Sequence, residues 1–348
     1  MGFPVSAVSS MRVAILGAGA WGTAVAVHAA ARHQVMLWTR DPAHAVAMRE
    51  ARRNARYLPE ARLPDAVEPV HELGAALRWV RDGAEGGLVV LATSVAGLRP
   101  TARALAGLAG AGADARTPVI WLCKGLERDS GLLPHQVVTA EAPGLACGVL
   151  SGPSFAQEVA AGLPVALTVA SDDERVCRVS VEALHHSAAR IYRSDDVVGV
   201  EIGGALKNVM AIAAGICDGL SLGQNARAAL ITRGLAEIGR FGIALGAQPE
   251  TFHGLTGLGD LVLTCTGDLS RNRRVGLGLA AGKPLAQVVG ELGHVAEGVA
   301  CAHVVHRRAG ELGVDVPIVS AVHAVLEGEL DAREAVLSLL SRGPKREN

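Results

Sequence analysis

The chain has 348 residues, long enough for two domains. Its composition, 50% hydrophobic and 19% charged with a net charge of −1, suits a soluble globular protein and excludes a broad nucleic-acid surface, which needs a basic excess. Six scattered cysteines with no Cys-x-x-Cys pair imply neither a disulfide framework nor a zinc site and fit reduced thiols in the cytoplasm.

Residues 1–10 read as a frayed leader. The opening Met-Gly-Phe-Pro-Val-Ser matches the loose myristoylation pattern, but the rest of the chain gives no reason to prefer an anchor. Val13–Ala31, flanked by Arg12 and Arg32, contains no Asp, Glu, Lys or Arg, and so imitates a signal peptide or a membrane span. Its interior argues against membrane insertion. Arg12-Val-Ala-Ile-Leu predicts a strand, Gly17, Gly19 and Gly22 a tight turn, and Thr23–Ala31 a helix, with Gln34–Trp38 completing a βαβ unit.

In Gly17-Ala18-Gly19-Ala20-Trp21-Gly22 the first glycine permits the turn, the second admits a diphosphate close to the backbone, and the third lets helix and sheet pack closely. Free N–H groups at the helix start then favour the negative charge of a dinucleotide. The second strand ends in Trp38-Thr39-Arg40-Asp41. Arg40 falls where a guanidinium meets the 2′-phosphate of NADP(H), which is favoured, while Asp41 keeps NAD(H) open.

Leu88–Ala92, Val119–Cys123 and Cys147–Leu150 are short apolar runs of the buried parallel-strand kind, and Ala166–Ala170 and Ile191–Tyr192 extend the series. Ligands bind beyond the carboxyl ends of such strands. Ala92-Thr93-Ser94, Lys124-Gly125-Leu126-Glu127 and Ser151-Gly152-Pro153-Ser154 are therefore expected to converge on one crevice. From Asp195 onward the pattern is almost wholly helical. The expected architecture is α/β, a Rossmann-type doubly wound sheet over residues 11–193 followed by an all-helical substrate and catalytic domain over 194–342.

Only four of the thirty-three basic residues are lysines, and two of these, Lys124 and Lys207, fall in segments already of interest. Lysine, unlike arginine, exchanges a proton near neutral pH when its surroundings lower its pKa. In the helical stretch Glu201–Gly215, Leu206, Val209, Ala213 and Ile216 share one face. Gly203, Gly204, Ala211, Ala214 and Gly215 instead surround Lys207 and Asn208 with small side chains, leaving room for a ligand; a close helix–helix seam with a snorkelling lysine has the same spacing.

Residues 254–274 run a glycine-rich apolar stretch holding Asp260 into the polar cluster Ser270-Arg271-Asn272-Arg273-Arg274. Guanidinium groups bind phosphate through paired charge-assisted hydrogen bonds, so the cluster reads as a clamp for a small phosphorylated ligand, against the alternative of a solvated basic loop. His303 and His306 can share a helix face, but with no third ligand nearby in sequence no metal site is expected.

The segments Gly17–Gly22, Lys124-Gly-Leu-Glu127, Ser151-Gly-Pro-Ser-Phe-Ala156, Ala205-Leu-Lys-Asn-Val209, Asn225–Gly234, Gly257-Leu-Gly-Asp-Leu261 and Ser270–Arg274 resemble, in order and spacing, the bacterial NAD(P)-dependent glycerol-3-phosphate dehydrogenases. The resemblance runs from about Met11 to Arg342, and Thr93 departs from the proline common there. It implies reduction of dihydroxyacetone phosphate to sn-glycerol 3-phosphate, supplying glycerophospholipid synthesis. Lys207 would donate the proton, Lys124 orient the substrate oxygens and contact cofactor, and Asp260 support the lysines. Gly152, Ser154, Asn208, Thr264, Ser270, Arg271 and Asn272 would bind substrate; Gly17, Gly19, Ala20, Trp21, Gly22, Arg40, Tyr57, Ala156, Arg271, Val295 and Glu297 would bind cofactor.

Other readings are a two-domain hydroxyacid dehydrogenase, which would accept carboxylate substrates, and a non-catalytic NADP(H)-sensing module, which would have no use for Lys124, Lys207 and Asp260 together. The small-residue helices of the second domain can equally form a homodimer seam.

Overall fold

The computed structural model describes residues 10–83, 86–109, 117–292 and 296–343. The leader up to residue 9 and Val295 lie outside the described residues. The chain divides into two compact units: one runs to Cys123 and resumes over Pro134–Val197, and the other takes Lys124–Leu133 and everything from Val198.

Among its described residues the first unit contains ten strands: β1 Arg12–Leu16, β2 Gln34–Trp38, β3 Arg53–Asn54, β4 Leu58–Arg62, β5 Val67–Val70, β6 Gly87–Leu91, β7 Val119–Trp121, β8 Cys147–Ser151, β9 Val165–Ala170 and β10 Ala189–Ser194. Eight form one sheet in the order β10-β9-β8-β7-β6-β1-β2-β5, and β3 and β4 form a separate antiparallel hairpin. The strand order reverses between β1 and β6, which is where a doubly wound sheet opens a crevice. Val13, Ile15, Leu88, Val90 and Ile120 are buried in the core, as strands covered on both faces require.

Two features depart from the expected sheet. The strand β9 pairs antiparallel with β8, because an apolar run records burial but not direction. β4 and β5 went unread: Leu58-Pro-Glu-Ala-Arg62 and Val67-Glu-Pro-Val70 are polar and proline-bearing, a composition suited to a hairpin and a sheet edge, the positions they occupy.

Among its described residues the second unit consists of helices and the loops that join them, with no strand. The helix Val197–Gly219 lies at its centre, surrounded by Gly223–Ala244, Asp260–Thr266, Arg271–Ala280, Glu297–Leu312 and Pro317–Glu327. By length and composition it could cross a membrane, yet every residue from Gly199 to Cys217 is buried. No face of it is left polar, so the one-faced pattern read from sequence understates its burial. Lys124–Leu133, expected among the strand-end loops of the first domain, belongs here, because Leu126 and Leu133 are buried in the helical core with Leu206, Phe241 and Val304.

Candidate active site

In the first unit the glycine turn follows β1. Gly17 has φ +132°, its N–H donates to Trp38 O at 3.0 Å, and a Cβ there would lie 2.5 Å from Ala92 O, so no other residue fits. A Cβ on Gly22 would lie 2.0 Å from Gly17 O, while one on Gly19 would meet nothing within 4 Å. Gly19 thus faces open space at the N-terminus of the helix Ala20–Ala29, which has no side-chain cap and no acidic residue in its first turn. The Thr93 hydroxyl, beside Ala92, is buried without a hydrogen-bond partner among the described residues. This cradle fits a dinucleotide diphosphate: open backbone, unsatisfied donors and no competing negative charge.

Trp21 and Ala156 pack around Ala24, Leu58 and Val159 in a small apolar cluster behind the turn. Arg40 is exposed at the end of β2. The carboxylate of Asp41, the feature that left NAD(H) open, caps the helix Pro42–Ala51 by accepting from Ala43 N at 3.0 Å and His44 N at 3.3 Å. Tyr57 stacks beside Arg56. Gly152 has φ +134° after β8, and the Ser154 hydroxyl donates to its carbonyl at 3.2 Å.

Sequence reading missed Asn54 in the hairpin. Its amide, fully buried, donates to Ala18 O at 2.9 Å and Thr23 Oγ1 at 2.7 Å, and its oxygen accepts from Tyr57 N at 3.2 Å. One side chain thereby ties the glycine turn to the hairpin carrying Tyr57. The available signal was a polar residue three positions before an isolated tyrosine, which is indistinguishable from a turn without the fold.

In the second unit the lysines meet at Asp260. Lys124 Nζ donates to Asp260 Oδ2 at 2.7 Å, and Lys207 Nζ donates to Oδ1 of the same carboxylate. Asp260 is completely buried and Lys207 nearly so. Backbone packing creates the meeting: a Cβ on Gly203 would lie 2.2 Å from Thr256 O, so only glycine lets the helix Val197–Gly219 approach the π-helical turn Leu255–Gly259. One turn later on each segment come Lys207 and Asp260. Thr264 Oγ1 donates to Asp260 O at 2.6 Å in the helix that Asp260 opens.

Burial lowers the Lys207 pKa to about 8; the Asp260 charge opposes this shift and the Lys124 charge adds to it. Three groups thus leave a net positive, desolvated site with an amine able to exchange its proton near neutrality. Glu297, at the start of Glu297–Leu312, is pushed above its ordinary pKa by burial, with the charges of Arg271, Lys124 and Lys207 pulling it back. Those cations therefore face a common region with Glu297.

Asn272 Nδ2 donates to Asn208 Oδ1 at 2.9 Å, and Asn272 Oδ1 accepts from Gly298 N at 3.0 Å. This amide joins three helices beside the lysine pair. The Ser270 hydroxyl accepts from Arg273 N at 3.2 Å and caps the helix Arg271–Ala280.

The small-residue column around Lys207 is not open space, as had been expected. Gly203 abuts Thr256, Gly215 abuts Arg273 O, and Gly276 abuts Ile212 O, each at a distance that excludes a Cβ. These glycines form packing seams, and what projects Lys207 is the ion pair. The phosphate clamp also shrinks. Arg273 is bound by Asp218 at 2.8 Å and Asp268 at 3.1 Å, and Arg274 reaches Asp268 O at 3.2 Å. Arg271 is exposed and, among the described residues, holds no ion pair, so it is the arginine of this run available to an anion.

Residues 12–177 match the family described as NAD-dependent glycerol-3-phosphate dehydrogenase N-terminus, and residues 196–337 match its C-terminus. Two relatives named glycerol-3-phosphate dehydrogenase [NAD(P)+], from Leptothrix cholodnii and a Janthinobacterium species, are each 56% identical; each match covers 97% of this chain and 100% and 99% of those proteins. The crystal structure of a glycerol-3-phosphate dehydrogenase from Coxiella burnetii is 39% identical, covers 96% of this chain and 99% of its own, and superposes with a TM-score of 0.88. The glycine turn, the paired lysines and the full-length agreement concur, and the chain belongs to the NAD-dependent glycerol-3-phosphate dehydrogenase family.

Proposed function

We propose that this chain interconverts dihydroxyacetone phosphate and sn-glycerol 3-phosphate using NAD(P)H, supplying glycerol 3-phosphate for glycerophospholipid synthesis in the cytoplasm. The carrying observation is the single buried carboxylate of Asp260 shared by Lys124 and Lys207, in a chain 56% identical to proteins named for this activity. A hydroxyacid dehydrogenase or a sensing module is disfavoured by that identity over nearly the whole chain.

A dinucleotide held by its diphosphate at the Gly17–Gly22 cradle would supply the hydride from its nicotinamide. The residues of the chain do the rest. As negative charge develops on the carbonyl oxygen, Lys207 donates its proton, and in the reverse direction neutral Lys207 accepts one. Asp260 holds both ammonium groups in place and Lys124 stabilises the oxygen's charge. Arg271 holds the phosphate by paired hydrogen bonds, with Gly152, Ser154, Asn208, Thr264, Ser270 and Asn272 completing the substrate contacts. Arg40 favours NADP(H) because Asp41 is occupied as a helix cap.

No disulfide joins the described cysteines, in keeping with the cytoplasmic setting of this proposal. The homodimer in this proposal rests on the exposed Leu337 and Leu340 of the final helix, since the glycine seams are used internally; light scattering tests it. The decisive assay is oxidation of NADPH and NADH with dihydroxyacetone phosphate as sole acceptor. Turnover with this substrate and none with 2-keto acids supports the proposal; no turnover with either cofactor overturns it.

A further inference from the structure

The helices Glu297–Leu312 and Pro317–Glu327 pack side by side and bring three donor groups together outside the residues assigned above. His303 Nδ1 lies 3.7 Å from Glu327 Oε1, and His323 Nδ1 lies 3.9 Å from the same oxygen. One donor atom from each of the three falls within 4.8 Å of the others. Four-coordinate zinc binds imidazole nitrogen and carboxylate oxygen at about 2.0–2.2 Å, which sets neighbouring donors roughly 3.3–3.6 Å apart on a tetrahedron. The two nitrogen-to-oxygen distances exceed this by only a few tenths of an ångström, and the three donors lie close enough for side-chain rotation to bring them onto one ion.

The arrangement has a specific electrostatic oddity. Among the described residues His323 Nδ1 is buried without a hydrogen-bond partner and faces a carboxylate too distant to accept from it. A ring nitrogen and a carboxylate oxygen facing each other in this way form a donor pair suited to a shared cation. A neutral imidazole is the form that ligates metal.

The ring is also held in place. His306 stacks on His323 with centroids 4.4 Å apart, and His306 Nδ1 lies 3.1 Å from Ser320 Oγ. His323 and Glu327 sit four residues apart on one helix face, and His303 comes from the adjacent helix.

We propose that His303, His323 and Glu327 form a site for a divalent transition metal of the zinc, nickel or copper class, clipping these two helices together. Two imidazoles and one carboxylate suit these ions, whereas magnesium and calcium require mostly oxygen donors. Three protein ligands leave a coordination position for water, so the ion exchanges with solvent instead of being permanently enclosed. The site is separate from the lysine pair, and its function is to stabilise the helical unit, because a ligand that binds only the folded chain raises its melting temperature. Buried thiols do not compete for the ion: burial pushes Cys265 and Cys301 up to about 12.

The test uses the untagged full chain after chelator treatment, titrated with zinc chloride alone by calorimetry and with cobalt chloride by visible absorption. Saturable binding of about one ion per chain, tetrahedral cobalt bands and a Tm raised by several degrees are expected. His303→Ala and Glu327→Gln alter exposed side chains and should fold normally; each should weaken zinc binding at least about 10-fold and abolish the Tm increase while leaving dehydrogenase turnover unchanged. No saturable binding, or wild-type affinity in both variants, overturns the site.

Discussion

Lys207 and Lys124 share the two oxygens of Asp260, so the carboxylate that raises the proton affinity of the buried first lysine is one that the second also holds. With burial placing the Lys207 pKa at about 8, the ammonium form needed for carbonyl reduction is lost as pH rises through that value, and the neutral form needed for alcohol oxidation is gained. Reductive kcat is expected to fall above about pH 8 and oxidative kcat to rise over the same range. Asp260→Asn removes the charge that raises the lysine's pKa, so both limbs should move to lower pH; unchanged limbs would remove Asp260 from proton control. Lys207→Ala should cost about 10²–10⁴-fold in kcat with little change in cofactor affinity.

Arg40 and Asp41 are adjacent but do different work. Arg40→Ala should raise KM for NADPH and leave KM for NADH nearly unchanged, since only the former carries the 2′-phosphate. Asp41→Ala removes a helix cap and should lower stability by about 1 kcal/mol without altering the NADPH-to-NADH ratio. An equal loss with both cofactors in the first variant would mean that Arg40 only packs on the adenosine half.

Asn54 ties the glycine turn to the hairpin carrying Tyr57, so its loss is expected to reach the cofactor through that turn. Asn54→Ala removes the donor to Ala18 O and Thr23 Oγ1 and the acceptor for Tyr57 N. Each group left buried without a partner costs about 1–3 kcal/mol. KM for the cofactor should rise while KM for dihydroxyacetone phosphate, measured at saturating cofactor, stays near wild type. A purely structural role would lower Tm and leave that ratio unaltered.

Arg271→Lys retains charge but not the paired donors of a guanidinium. With dihydroxyacetone phosphate, kcat/KM should fall about one to two orders of magnitude, the effect of losing a charge-assisted hydrogen bond worth roughly 1.5–3 kcal/mol. With dihydroxyacetone, which has no phosphate, the loss should be much smaller. Equal losses on the two substrates would place Arg271 elsewhere in the mechanism.

Local chemistry carried much of the molecule into view. Gly17, Gly19 and Gly22 are readable because a strand, a sharp turn and a helix start impose separate demands on successive residues, and the structure meets each one. Lys124, Lys207 and Asp260 were legible as separate residues within motifs, and the strands β1, β2, β6, β7 and β8 were legible as buried apolar runs.

Other relationships depend on elements distant in sequence. Gly203 resembled one side of a ligand space until Thr256 was found against it, and Arg273 resembled part of a phosphate clamp until Asp218 was found to hold it. His303 lacked a third donor in sequence; the neighbouring helix supplies His323 and Glu327. The sequence alone determined most of the segments that fold as strand, turn or helix and which residue types are able to move a proton or bind phosphate, since backbone sterics, burial periodicity and side-chain chemistry are local. Only the tertiary structure decided which charges neutralise one another and which glycines are filled by a neighbour, because Coulomb attraction and van der Waals exclusion act through space between side chains whose separation along the chain says nothing of their distance.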